Sequence, residues 1–490
     1  MLNLSLLTDL YELTMMQGYF YESREKRAVF DMFFRKQPFD GGYSVFAGLE
    51  TLLKSISTLQ FNQEEIEYLK SLKIFQRDFL DYLKNFKFTG DIYSVEEGEI
   101  VFPNEPLIRI EGKLLEIQLL ESLLLNIINF QTLIATKSAR VTEAAKGKAV
   151  LEFGLRRAQG IDGAISGSRA AFIGGAVATS NVLAGKLFNI PVKGTMAHSW
   201  VMSFNSEIEA FEKYSEIYPE NSILLVDTYN TLKSGIPNAI KIFKKLRKKG
   251  YKNYGIRLDS GDLEYLSKEA RKMLDKAGFK EALIIVSNEL DEYIINELNN
   301  RKAPIDAWGV GTHLITAKGD PSLSGVYKIV AREKNGKLVP TIKISNNPEK
   351  ISNPGIKNIY RFYDKNNNMI ADLLVLIDDK DEISKIKKHN IITFYHPDYN
   401  FKFFELKNYK SYRELLIPVM KNGKIIYNFP SLPEIQKRCK NNLQSLDETY
   451  KRLLNPHIYK VSLSKKLREL KSNLINEEQK KFEGAQFNEN

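Results

Sequence analysis

Asn189-Ile-Pro-Val-Lys-Gly-Thr-Met-Ala-His-Ser-Trp-Val-Met-Ser-Phe204 is the stretch from which the fold is read. A short apolar run, Ile190 and Val192, breaks at Gly194, and Thr195, His198 and Ser199 follow before the apolar pattern resumes. That order spells strand, tight loop, helix. It sets His198 at the C-terminal end of a strand, where ligands bind in sheets and barrels built from βα units. A lone histidine at a helix start is also a common structural group, so its company matters.

The same grammar recurs along the chain. From about residue 136, short apolar strands at 149–153, 190–193, 223–226, 254–258, 283–286 and 306–310 alternate with helices. Such alternation implies parallel strands joined by helical crossovers, in a barrel or a doubly wound sheet. Polar clusters follow the strands: Glu152-Phe-Gly-Leu-Arg-Arg-Ala-Gln159, Gly194-Thr-Met-Ala-His-Ser199, Asp227-Thr-Tyr-Asn230, Arg257-Leu-Asp-Ser-Gly-Asp262, Ser287-Asn-Glu289 and Gly309-Val-Gly-Thr-His313. Six strand ends are therefore expected to converge on one rim. After Asp262, residues Leu263, Leu266, Ala270, Met273, Leu274 and Ala277 share a helix face, with Ser260 placed to cap it and Gly278 to stop it.

At 490 residues the chain is too long for one average core. Three parts are expected: 1–135, 136–340 and 341–490. The first opens on a helix with Thr8 as N-cap and Leu10, Leu13 and Met16 or Gln17 on its stripe, Tyr11 falling just off it. Strand-like stretches at 28–34 and 92–110 suggest a modest all-β module. The apolar segment 114–134 carries Glu116, Gln118 and Glu121 and reads as a buried helix, not a membrane span. The last part shows turns at 346–350 and 364–368, a hairpin of 414–419 with 424–427 through Lys421-Asn-Gly423, closing helices and a polar, frayed end.

Composition narrows the function. The net charge of +11 raises nucleic acid as a partner, but lysines fall on helix faces such as Lys241-Ile-Phe-Lys-Lys-Leu-Arg-Lys-Lys249 without interleaved aromatics. A solvated face that attracts anionic metabolites is the better reading. A single cysteine, Cys439, excludes an internal disulfide and a cysteine metal cluster. With no basic leader in the first twenty residues, a cytoplasmic protein is expected.

The rim residues suit one chemistry. Gly309-Val-Gly-Thr, followed by His313, resembles a phosphate cradle, small residues letting backbone amides approach an anion while Thr312 adds a hydroxyl. Arg156, Arg157 and Arg257 offer planar forks for carboxylate or phosphate, salt bridges to Asp227 or Asp259 being the duller alternative. Carboxylates beside a phosphate site can bind ribose hydroxyls, hold Mg²⁺-bound water or stabilise positive charge on a sugar carbon. Together these describe a sugar-phosphate and an acidic co-substrate.

Thr8-Asp-Leu-Tyr-Glu-Leu-Thr, Glu152-Phe-Gly-Leu-Arg-Arg-Ala-Gln, Thr179-Ser-Asn-Val-Leu-Ala-Gly, Gly194-Thr-Met-Ala-His-Ser, Arg257-Leu-Asp-Ser-Gly-Asp, Gly309-Val-Gly-Thr and Asn455-Pro-His-Ile-Tyr-Lys-Val-Ser-Leu-Ser resemble, in order, the motifs of the nicotinate phosphoribosyltransferase family. The resemblance implies an irregular α/β barrel of the type II phosphoribosyltransferase kind, with an α+β sandwich domain formed from the N- and C-terminal parts, working as a homodimer. It implies that nicotinate and 5-phosphoribosyl 1-pyrophosphate give nicotinate mononucleotide and pyrophosphate, coupled to ATP hydrolysis, with Mg²⁺ accompanying pyrophosphate or ATP. His198 matches the transiently phosphorylated histidine. Tyr11 matches the aromatic lent by a second subunit, Phe153 its stacking partner, and Thr195 and Arg257 residues close to nicotinate. Arg156, Gly311 and Thr312 match positions near substrate and phosphate, while Asp227 and Asp259 are the candidate catalytic carboxylates, Asp227 expected to orient His198. The nicotinamide-specific relative shares barrel and histidine, but Arg-Arg after Phe153-Gly-Leu favours the acid. A sugar-phosphate aldolase or isomerase barrel lacks its Schiff-base lysine here.

Overall fold

Strands that are apolar along their whole length and joined by helices must be buried on both faces, and the middle of the chain obeys this. The computed structural model describes residues 4–345, 350–399 and 401–486, with side chains to residue 480. The turn read at 346–350 falls on 346–349, and the polar end on 487–490, outside the described residues. Two compact units are present, 134–321 and, made from both ends of the chain, 4–133 with 322–486.

In the 134–321 unit six parallel strands lie in the order Ala178–Thr179, Ala149–Glu152, Ala307–Val310, Leu283–Val286, Tyr254–Leu258, Ser222–Leu225. The sheet curls but stays open. The strand expected at 190–193 is reduced to one bridge, Val192 beside Thr179, because Pro191 has no N–H to give a ladder and Gly194 follows at once. The sixth strand is the short Ala178–Thr179, and after the Lys193 amide, which donates to Thr179 at 3.0 Å, residues 194–197 run free of any ladder to the helix His198–Met202.

The helix after Asp262 spans Leu263–Lys276, with Ala270 and Leu274 buried and Gly278 at φ +83 just beyond its end. Its cap is Asp262, whose carboxylate accepts from the Tyr265 amide at 3.0 Å. Ser260, expected in that role, donates instead to Asp227 at 2.7 Å, since its hydroxyl reaches the neighbouring strand end and not the helix.

In the unit made from both ends, a seven-stranded sheet has the order Lys337–Pro340, Gly325–Lys334, Arg27–Phe34, Ile108–Lys113, Asp91–Ser94, Ile417–Lys421, Lys424–Ile425. The boundary drawn at 340 therefore moves to 321, because Gly325–Lys334 pairs along Arg27–Phe34, with Phe30 stacked on Tyr327 at 4.7 Å. The modest module read near the N-terminus is part of this long-range sheet. A second sheet runs Phe403–Leu406, Ile392–Tyr395, Val461–Leu463, Met369–Leu376, Lys357–Tyr363, Ser411–Glu414. The 364–368 turn joins two of its strands, with Asp364 accepting from the amides of Asn366 and Asn368. The hairpin through Asn422 (φ 49) and Gly423 (φ 71) is a two-residue turn of the left-handed type, but Glu414 belongs to the strand before it.

Helix Leu10–Glu22 buries Leu13 and Met16. Asp9 takes the cap position without a capping bond, and Thr8 donates to the buried Glu12 carboxylate instead. Segment Leu114–Ala144 is long and apolar enough to cross a membrane, yet 67% of its most apolar window is buried inside the protein, as expected of a core helix.

Candidate active site

The strand ends of the parallel sheet surround a cavity of about 190 Å³, lined by Phe153, Arg156, Arg157, Arg257, Asp259, Ser287, Asn288, Glu289, Gly309, Gly311 and Thr312. Each wall has a local cause. Glu152, fully buried, accepts from the Gly154 amide and from the hydroxyls of Ser168 (2.9 Å) and Thr179 (2.6 Å), which locks the turn that carries Phe153 and Arg156. The Phe153 amide donates to Val310 at 2.8 Å, and its ring lies against Gly309, where a Cβ would come within 2.7 Å of it. Only glycine leaves room for that ring.

Arg257 stands in the middle of the site. Its guanidinium donates to the Thr195 hydroxyl and, at 2.9 Å, to the Met196 carbonyl, so it holds the ladder-free segment before His198. Burial pulls its pKa below the ordinary value, with Asp259 and Asp227 acting in the opposite sense. Two of its five N–H groups are used in this way, and Nε is buried without a partner. Among the described residues none of Arg156, Arg157 and Arg257 is ion-paired with a carboxylate, so the salt-bridge alternative is set aside.

His198 is partly exposed. Its Nδ1 lies 3.1 Å from the Thr228 hydroxyl and its Nε2 3.6 Å from Asp259. The carboxylate facing the imidazole is therefore Asp259, not Asp227 as expected. Asp227 is turned aside because it accepts from the Asp259 amide and the Ser260 hydroxyl, both at 2.7 Å, leaving Oδ1 buried and unpartnered. Ser287 donates to the other oxygen of Asp259. Thr228, which directly follows Asp227 in a strand-end cluster, joins the site through this contact.

The structure thus brings Phe153, Arg156, Arg257, Asp259, Gly311 and Thr312 to one cavity, with Thr195, His198 and Asp227 linked to it through Arg257 and Asp259. Tyr11 is on helix Leu10–Glu22 of the other unit, 46% exposed. Among the described residues no group of three or more His, Cys, Asp or Glu gathers to hold a metal ion.

A curled parallel sheet whose rim joins guanidiniums without carboxylate partners, strand-end carboxylates and a glycine-rich turn is the half-barrel frame on which α/β-barrel enzymes build their sites. The comparisons narrow the class. The nicotinate phosphoribosyltransferase (NAPRTase) N-terminal domain description matches residues 6–129, that of the NAPRTase family 149–373 and that of the C-terminal domain 356–471. The nicotinate phosphoribosyltransferase of Bacillus subtilis is 46% identical over 94% of this chain and 93% of its own, and that of Dictyostelium discoideum 37% identical over 96% and 88%. The crystal structure of human nicotinic acid phosphoribosyltransferase matches with a TM-score of 0.85 at 29% identity, covering 96% of this chain and all of that one. The chain belongs to the nicotinate phosphoribosyltransferase family, and is a phosphoribosyl-transferring enzyme with the type II fold.

Proposed function

We propose that this chain joins nicotinate to the ribosyl group of 5-phosphoribosyl 1-pyrophosphate, and that ATP drives the step through a phosphorylated His198. The observation that carries the reading is Arg257, a largely buried guanidinium with uncommitted N–H groups in a cavity that the Phe153 ring also lines. An aromatic wall and a guanidinium fork suit a flat pyridine carboxylate, and the fork selects the acid over the amide.

The ring nitrogen of nicotinate attacks C1 of the ribose as the bond from C1 to the pyrophosphate oxygen breaks, the electron pair leaving with pyrophosphate. Positive charge growing on the sugar is met by Asp259, with Asp227 behind it. Arg156 and Arg157, free of ion pairs, and the Gly311–Thr312 turn are the groups for phosphate oxygens. A neutral His198 takes the γ-phosphoryl group of ATP on a ring nitrogen as ADP leaves, and water later removes it as inorganic phosphate. Mg²⁺, when bound with pyrophosphate or ATP, supplies charge neutralisation on the phosphate oxygens. No carboxylate cage is present among the described residues, so the ion would come held by the phosphate oxygens, with Asp259 and the unpartnered Asp227 Oδ1 as the neighbouring hard oxygens.

Helix Leu10–Glu22 exposes Leu10 and Tyr11 at its tip, which supports a homodimer in which Tyr11 stacks on nicotinate held by the second copy. The cytoplasm suits a chain with one, buried, cysteine. Incubation with nicotinate, the activated ribose and Mg²⁺ is expected to give nicotinate mononucleotide, faster with ATP than without. Absence of the mononucleotide under both conditions would refute the reading.

Phe153 supplies a further check. Gly309→Ala sets a Cβ 2.7 Å from the ring and 3.3 Å from Ser287 Cβ. The ring must move, so the Michaelis constant for nicotinate is expected to rise about tenfold, equivalent to ~1.4 kcal/mol of binding, at an overpacking cost of about 1–3 kcal/mol in stability. Steady-state kinetics and thermal unfolding read the two effects separately.

A further inference from the structure

Glu12 is 0% exposed, although its side chain is a carboxyl and it lies one residue from an exposed aromatic. Its Oε1 accepts from the Ser122 amide at 2.9 Å and the Ser122 hydroxyl at 2.6 Å, and its Oε2 accepts from the Thr8 hydroxyl. Ser122 is in the first turn of the helix Glu121–Ala144, where amide donors lack intrahelical acceptors. Glu12 therefore caps that helix from outside it.

Asp9 is drawn into the same contact. Its amide donates to Ser122 Oγ at 3.2 Å, and its carboxylate lies 2.6 Å from that oxygen. In consequence the helix Leu10–Glu22 has no side-chain cap of its own. Its first turn is held from below by Leu13 and Met16 and at its end by the Glu12–Ser122 contact, while Leu7, Leu10 and Tyr11 stand exposed. An uncapped first turn frays unless something else fixes it. Burial and the carboxylates of Glu121, Glu12 and Asp9 push the Tyr11 phenol up to about 12, so the exposed ring is neutral.

We propose that Glu12 is a positioning residue for Tyr11, fixing the tip of helix Leu10–Glu22 to Ser122 so that the ring is presented in one orientation. Its effect on nicotinate rests on the reading that Tyr11 stacks on that substrate. A ring already in place binds without an ordering cost, so loosening it weakens nicotinate binding and leaves the other substrate alone.

The test uses the full chain with Glu12→Ala, Glu12→Gln, Ser122→Ala and Tyr11→Ala. In Glu12→Ala the Ser122 amide is expected to exchange with solvent about tenfold faster in the ligand-free protein, and the Michaelis constant for nicotinate to rise about tenfold, a loss of preorganisation. The Michaelis constant for the activated ribose and kcat are expected to stay within about twofold. Glu12→Gln keeps an acceptor for Ser122 and is expected to restore nicotinate binding. Ser122→Ala, which leaves the amide donor in place, gives a smaller change in the same sense and serves if Glu12→Ala does not fold.

Unchanged Ser122 exchange in Glu12→Ala overturns the proposal, as does an equal rise in both Michaelis constants. A raised nicotinate constant in Tyr11→Ala with an unchanged one in Glu12→Ala overturns it too. If Tyr11→Ala leaves nicotinate binding unchanged while Glu12→Ala speeds exchange, the stacking role of Tyr11 falls and the contact that fixes the helix tip stands.

Discussion

His198→Ala is expected to abolish the stimulation by ATP while a slower, ATP-independent transfer survives. The imidazole is 40% exposed, so phosphorylation needs no unfolding, and no backbone ladder depends on it. The cavity lined from Phe153 to Thr312 is built by other residues. With saturating ATP, kcat/KM is expected to fall by about 10²-fold, to the wild-type rate without ATP, a size usual for loss of one activating group. Thr228→Val removes the hydroxyl 3.1 Å from Nδ1 and with it a group that orients the ring. A partial loss, about tenfold, is expected there. The measurements are product formation with and without ATP, and mass spectrometry of acid-labile phosphate on the peptide holding His198. Persistent ATP stimulation in the alanine variant, or phosphate on another residue, would remove His198 from its role.

The second large effect belongs to Arg257. Arg257→Gln removes the guanidinium proposed to meet the nicotinate carboxylate, at a largely buried position where a charge-assisted bond is strongest. It also loosens Thr195 and Met196, which the guanidinium holds. A fall of about 10³-fold in kcat/KM for nicotinate is expected, roughly 4 kcal/mol, with a much smaller change for nicotinamide. Thr195→Val separates the two causes, since it removes a tether and leaves the charge. It is expected to cost about tenfold and keep the preference for the acid. Equal turnover of nicotinate and nicotinamide by the unaltered protein would end the assignment of Arg257 to the carboxylate.

The parallel strands around Ile223, Ile256, Ile284 and Val310 were legible because each is buried on both faces and reads as an apolar run between helices. Their polar ends could be named for the same reason. The run at Ile190 and Val192 has the right composition but lacks a donor at Pro191, so composition alone misleads there. Which of two strand-end acids faces His198 could not be read, because it turns on the Asp259 amide donating to Asp227 across neighbouring strands. Nor does any local pattern announce that Arg27–Phe34, buried along almost its whole length, pairs with the half-buried Gly325–Lys334, since that partnership is set by the whole topology.

That last pairing bears on how the protein is made. The enzyme's barrel unit is one uninterrupted stretch, but the strand Arg27–Phe34 waits for a neighbour that emerges some three hundred residues later. At ordinary ribosomal speed this delay is on the order of tens of seconds. Throughout it, an apolar strand with Val29, Phe30, Met32 and Phe34 has one bare side, a template for pairing with other nascent chains. The segment made first, up to residue 133, is thus finished only when the chain beyond residue 322 arrives.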